Sequence, residues 1–350
     1  MGAGIQFTRD RIMPSISATR LCLLIIASLH VFWGGIREYH VNGHAQGTTY
    51  HITYYAPDSM FTQFQADSIL DKLDSSLSNY KSYSLLSRFN TSAHGIVMDE
   101  HLKKVVKRSL SIWRDTGGES DITVAPLVQA WGFGPRKSTV LPGATAIKAI
   151  LPCVGSAMLH LQGNKLVKDK PCVTIDVNGI AQGYSVDVIA GFLEKLGINN
   201  YLVELGGEIR VKGHKESPAE LFTIGIERPG NDALEDAGDS KLLKPDHGGI
   251  TTSGNYRKSY TSGKRVISHL IEPHTGYPIQ NEMISVTVWA ADAITADGYD
   301  NALMAMGLEK ARHFMRQHPE MEAYFIYRMP NGAIADTATA GFNKMMIAPE

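Results

Sequence analysis

Three cysteines stand in a chain of 350 residues, and no two of them form a C-x-x-C pair. That absence argues against a thiolate zinc site. Net charge is nearly missing too, with 34 Lys and Arg set against 35 Asp and Glu. A balance so close to zero offers no electrostatic footprint for nucleic acid, which needs clustered cations. Long apolar runs are scarce. The longest, Leu21–Ile36, is shorter than the roughly 20 residues that span a bilayer comfortably. Internal repeats and low-complexity linkers are absent as well. What remains, 43% hydrophobic and 20% charged, is ordinary globular composition with ample length for a core.

The run Leu21–Ile36 follows Arg9, Arg11 and Arg20. A basic leader before a short apolar stretch reads as a secretory signal or an N-terminal membrane anchor. No small-x-small cleavage site follows it, and Arg20 and Leu21 precede Cys22 where a lipoprotein cysteine would follow small residues. The expected division is therefore a leader over residues 1–36 and a single catalytic unit over 37–350. Cys153 and Cys172 flank a candidate hairpin. In an oxidising compartment they can pair across it or remain as two thiols.

Hydrophobic spacing predicts strands at Tyr50–Tyr55, Cys172–Val177, Tyr201–Val211, Leu221–Glu227, Ile284–Ala290 and the tail AYFIYRM, with others around Ile250 and over Val266–Ile271. It predicts helices over Asp67–Leu77, Glu100–Thr116, the segment YSVDVIAGFLEKLG, a stretch from about Ala296, and ARHFMRQH. Gly206-Gly207 inside the Tyr201–Val211 run reads as a bulge or a close backbone approach. The polar, aromatic segment Asn79–Asn90 reads as a loop, and Gly230–Asp239 as an acidic one. Strands outnumber helices without strict alternation. The expected class is α+β, with mixed or antiparallel sheets and packed helices.

Four stretches carry polar groups where a plain core would be apolar. Ile175–Asp187 places glycines at a strand-to-helix turn, whose backbone amides suit an anion or simply close a tight turn. Thr295–Leu303 sets Asp297, Asp300 and Asn301 at i, i+3 and i+4 on one helical face. Two like charges so placed call for a cation, and oxygen ligands without histidine suit Mg²⁺ rather than zinc. The plain alternative is an exposed acidic helix start favoured by the dipole. Thr251–Ile279 holds hydroxyls, the basic pair Arg257 and Lys258, and His269, a candidate proton acceptor or a structural histidine. In the stretch from Asp121 to Pro135, Trp131 reads as a core anchor.

In order along the chain stand Gly47-Thr48-Thr49-Tyr50, Leu77-Ser78-Asn79-Tyr80, Ser87-Arg88-Phe89-Asn90 and Asp121-Ile122-Thr123-Val124. Asp176 to Tyr184, Leu205-Gly206-Gly207, Thr252-Ser253-Gly254-Asn255-Tyr256-Arg257, Ser268-His269 and Ala296-Asp297 follow. Together they resemble the ApbE family of FAD:protein FMN transferases, from about Gln46 to the end. The resemblance implies an ApbE-like, T-fold-like unit that moves FMN from FAD onto a Thr or Ser hydroxyl of an acceptor protein and releases AMP. It implies Mg²⁺ dependence, work outside the cytoplasm on the periplasmic side, and an acceptor such as a membrane redox subunit. Carried over by position, the metal shell is the Gly179 carbonyl, Asp297, Asp300 and Asn301. The flavin site includes Gln46, Tyr80, Glu119, Ser120, Asp121, Asp176, Gln182 and Ile271. His269 stands at the base position, and Asp297 is a second candidate for that role. Departures fall at Gln182, where Lys or Glu is common, at Gln46 for Met, and at Asn301 for Thr or Asp. Two rival readings use the same site: an FAD pyrophosphatase giving FMN and AMP, and a flavin-binding protein without catalysis.

Overall fold

Two-residue turns set the frame. Gln46-Gly47, at φ 52° and 79°, joins strand β1 (Arg37–Ala45) to β2 (Thr48–Ala56). Gly206-Gly207, at φ 65° and 106°, joins β3 (Tyr201–Leu205) to β4 (Glu208–Lys212). Positive φ at both turn positions matches the twist of the flanking strands, and glycine adopts it at least cost. Tyr201–Val211 is thus a hairpin, not the one bulged strand expected. β5 (His247–Gly254), β6 (Met283–Ala290), β7 (Glu322–Arg328) and β8 (Ile334–Ala338) complete a sheet whose spatial order follows the chain. Every neighbouring pair in it is antiparallel. The α+β reading holds.

This computed structural model describes residues 35–136, 140–227, 241–255, 259–262 and 265–347. Most of the leader read at 1–36, the acidic loop Gly230–Asp239, and Arg257 and Lys258 lie outside the described residues. Among the described residues no helix is long and apolar enough to cross a membrane.

Period-two burial splits the sheet's side chains between two cores. Tyr50, Ile52, Tyr54, Val203, Val286 and Val288 face the larger one, beneath the helices. Tyr55, Val211, Ile250, Tyr324 and Ile326 face a second, closed by Phe342 and the small strands Ile224–Ile226 and Lys241–Leu243. The helices over the larger core are α1 (Gln63–Leu77), α2 (Glu100–Asp115), α3 (Asn178–Lys195), α4 (Ala293–Met306) and α5 (Leu308–Gln317). Thr62 and Gln65 form a reciprocal capping box at the start of α1. Gly117 and Gly118, at φ 64° and 92°, stop α2 where the pattern placed its end.

Two further expectations are corrected. Asn79–Asn90 is not loop throughout: Ser84 accepts from the Ser87 amide and caps a short helix, Leu85–Thr91. Cys172–Val177 is not a strand. Side-chain and loop groups hold its backbone instead of a ladder: the Ile175 amide donates to Asn90 Oδ1 at 2.7 Å and the Asp176 amide to the Ile122 carbonyl at 2.7 Å.

The hairpin Leu159–Gln162/Lys165–Lys168 forms as expected, and Cys153 and Cys172 are joined in a disulfide across its base, with Cα atoms 5.5 Å apart. The bridge closes a sequence separation of 19, for which chain entropy gives about 3 kcal/mol. Reduction should therefore lower the melting temperature by several degrees. Thermal unfolding with and without dithiothreitol, thiols counted by alkylation, tests this; equal transitions with both thiols free would rule it out.

Candidate functional site

The site lies where α3, α4, the end of β5 and the loop after α2 converge on one cavity of about 280 Å³. Its walls include Tyr80, Glu119, Ser120, Asp121, Asp176, Gly179, Gln182, His269, Ile271, Asp297, Asp300 and Asn301. All the predicted site residues but one thus meet in one place. Gln46 is the exception. It lies in an adjoining groove whose wall shares Tyr80, Asn178 and Gln182 with the cavity. Its side-chain amide donates to Ser185 Oγ at 2.9 Å.

Helix α4 begins at Ala293, three residues earlier than expected, because Asp292 caps it. Asp297 and Asp300 are 4% and 2% exposed, so the reading of an exposed acidic turn fails. Asp297 Oδ2 accepts from the Gly183 amide of α3 at 2.8 Å. Burial is the main cause that raises the proton affinity of both carboxyls. Asp297 adds its repulsion at Asp300, and Asp187 adds its own at Asp297. A buried acid pair is costly unless something positive joins it.

The neighbours supply more oxygen. Gly179 departs from helical geometry at φ −88°, ψ 22°, inside the first turn of α3, and its carbonyl accepts from Asn301 Nδ2 at 3.3 Å. The same amide nitrogen donates to Asp300 Oδ1 at 2.9 Å and to the Asp297 carbonyl at 3.1 Å. Asn301 Oδ1 accepts from Ser253 Oγ at 3.1 Å. Two carboxylates, a carbonyl and a side-chain amide thus line the same cavity, tied together through Asn301. Turning the amide over presents its oxygen there. Such hard oxygen donors fit Mg²⁺. Among the described residues no three His, Cys, Asp or Glu side chains form a closed metal cage. A partial protein shell suits an ion that keeps positions for water and phosphate.

The other predicted residues differ in what they present. Asp121 accepts from the Thr123 amide and hydroxyl at 2.8 and 2.6 Å and from the Ser156 hydroxyl and amide at 2.7 and 2.8 Å. Its carboxylate shapes the loop. Asp176 accepts from the Asn178 amide at 2.8 Å, so the chain's own acid takes a donor at the start of α3 that an anion was expected to take. Glu119 pairs with Lys310 of α5. His269 lines the cavity and meets Phe133 edge-on, with ring centroids 6.2 Å apart. Ile271 belongs to a satellite core with Leu127, Trp131, Ile147 and Ile267. Trp131 donates from Nε1 to the Gly276 carbonyl at 2.8 Å and anchors that core, as read.

Glu208, which the sequence reading passed over, also lines the cavity, beside Thr252 and Ser253 of the motif read above. Glu208 adds to the upward shift at Asp300. Its signal was the tight Gly-Gly turn just before it, which brings the first residue of β4 to the site.

A cavity of mixed apolar and polar lining, with a buried acid pair and a histidine in its wall, has the make-up of an enzyme site. The model of the ApbE family matches residues 46–325. An FAD:protein FMN transferase of Vibrio cholerae serotype O1 is 37% identical over 298 residues, 82% of this chain and 88% of that protein. The flavin transferase ApbE structure from Vibrio cholerae superposes with a TM-score of 0.80 at 34% identity, covering 89% of this chain and 99% of its own. The apo flavinyl transferase ApbE of Pseudomonas stutzeri gives 0.80 at 30% identity, over 91% and 99%. The chain belongs to the ApbE family.

Proposed function

We propose that this FAD:protein FMN transferase moves FMN from FAD to a Thr or Ser hydroxyl of an acceptor protein, releases AMP, and requires Mg²⁺. The observation that carries the cation requirement is the pair Asp297 and Asp300, buried together beside the Gly179 carbonyl and Asn301. Those four groups would hold Mg²⁺, which when bound neutralises diphosphate charge and so assists phosphoryl transfer.

The chain's own residues do the rest. The acceptor oxygen forms a bond to the FMN phosphorus while the bond from that phosphorus to the oxygen shared with AMP breaks. His269 takes the hydroxyl proton. Tyr80, Gln182 and Asp176 line the cavity and would face FAD there, and Asp121 keeps the adjacent loop in place. Work outside the cytoplasm, on the periplasmic side, is supported by the apolar run Leu21–Ile36 behind its basic leader and by the Cys153–Cys172 disulfide. A membrane redox subunit would be within reach of an enzyme exported or anchored there.

Incubation with FAD and Mg²⁺, with and without a Thr-containing acceptor, is the test. Flavin should appear on the acceptor with equimolar AMP, and EDTA should stop both. Free FMN forming at one rate with or without acceptor would replace this reading by an FAD pyrophosphatase. Tight FAD retention without AMP would mean a binding protein. His269→Ala should lower kcat by roughly 10²–10⁴-fold, the usual worth of a general base, with the FAD dissociation constant little changed. Full turnover in that variant would remove His269 from the mechanism.

A further inference from the structure

Helices α3 and α4 are joined by three polar rungs at a spacing of four residues. Asn301 donates to the Gly179 carbonyl, the Gly183 amide donates to Asp297, and the amides of Ala293 and Ile294 donate to Asp187. Along α3 the rungs fall at 179, 183 and 187; along α4 they run backwards from 301 through 297 to 293. Four-residue steps put each set on one helical face, so the helices lie antiparallel at this contact. The first two rungs belong to the cation corner. The third lies about one turn beyond the second, and none of its groups belongs to the cation shell.

We propose that Asp187 is a positioning residue for that corner: it caps α4 from α3 and fixes the spacing of Asp297 and Asp300 from the Gly179 carbonyl. This rests on the reading that those acids hold a divalent cation. Asp187 Oδ1 and Oδ2 accept from the Ala293 and Ile294 amides at 2.9 and 2.8 Å. Asp292 takes the next amide, Thr295, at 3.1 Å. Donors that an α-helix leaves open at its start are therefore satisfied in part by another helix. A cap supplied by a helix's own preceding residue holds it to nothing else. This one ties the start of α4 to the helix that carries Gly179 and Gly183.

Arg210 sets the carboxylate's other side, its Nε 3.7 Å from Asp187 Oδ1. The same guanidinium donates to the Ala291 carbonyl, so β4 grips the chain just before α4 as well. Asp187 is largely buried, its side chain 16% exposed. Burial pushes its carboxyl up to about 6, against the pull of the two amides and Arg210. A carboxylate kept in so unfavourable a place is held there by the bonds it accepts.

The experiment measures Mn²⁺ binding to the full chain by electron paramagnetic resonance of the free ion, well below the melting temperature. Asp187→Ala should weaken Mn²⁺ binding roughly 10–100-fold, the range for residues that orient metal ligands. Asp187→Asn, which keeps one acceptor, should fall between that variant and the wild type. Thr62→Ala, which removes the cap of α1, a helix that supplies none of the four cation-corner groups, should lower the melting temperature with no change in Mn²⁺ binding. Wild-type Mn²⁺ affinity in Asp187→Ala, beside a thermal loss like that of Thr62→Ala, overturns the proposal and leaves Asp187 a plain cap. Failure of the wild type to bind Mn²⁺ is a different result, and removes the cation reading on which the proposal stands.

Discussion

Asp297→Asn is expected to stop FMN transfer and, in the cation-free protein, to raise the melting temperature. The two effects share one cause. Asp297 and Asp300 are both buried; burial raises the proton affinity of each, and Asp297's repulsion raises it further at Asp300. Without a cation the pair opposes folding; with one it becomes the binding site. Loss of one carboxylate relieves the first and removes the second. Lewis-acid assistance is worth several kcal/mol of transition-state stabilisation, so the rate should drop by about 10³-fold or more. Wild-type melting should rise on adding Mg²⁺ and the variant's should not.

The pH dependence of stability follows with a definite sign. Between the ordinary carboxylate range and the raised values, the folded cation-free protein holds more protons than the unfolded chain. The pair's contribution therefore falls as pH rises through that window and levels off above it. Asp297→Asn should flatten the fall. Melting curves from pH 4 to 8 in EDTA, for both proteins, measure it. A variant that melts below the wild type across that range, or that transfers FMN at the wild-type rate, would refute the account.

Gly183→Ala should be the second most damaging change. A Cβ there would sit 2.4 Å from the Ala293 carbonyl oxygen and 2.6 Å from Asp297 Cβ. Neither neighbour is the free end of a flexible side chain. The helices must separate, at an overpacking cost of about 1–3 kcal/mol. Separation also stretches the 2.8 Å bond from the Gly183 amide to Asp297. A shift near 1 Å at a site can cost roughly 10²-fold in rate. The expected result is a lower melting temperature together with a drop of that order in FMN transfer. Full activity at an unchanged melting temperature would show that α4 does not depend on this close approach.

Much of this was legible in the chain. Helical spacing placed Asp297, Asp300 and Asn301 on one face, and the structure puts that face in the cavity. The extended runs placed three strands of the main sheet close to their observed bounds and marked a fourth around Ile250, because alternation and β-branching act locally. What escaped depends on partners far away. Cys172–Val177 has the composition of a strand, yet Asn90 and Ile122 take the hydrogen bonds that a ladder would have taken. Gly206-Gly207 was read as a bulge because both residues fit one; only the pairing of Leu205 with Glu208 makes it a turn. Asp187 looked like one more acid on a helix, and Glu208 like one more on a strand. Nothing local says that the first caps a helix 106 positions onward.

That separation also governs when the enzyme comes into being. The rungs between α3 and α4 span 106 to 122 positions, so no fragment ending before Ala293 contains a cation corner at all. Chain emerging from a ribosome carries the Gly179 half of the corner long before the Asp297 half. Contacts between such distant segments form late, after the costlier loop closures. On the proposed cation reading, capture of the ion would then mark the end of folding.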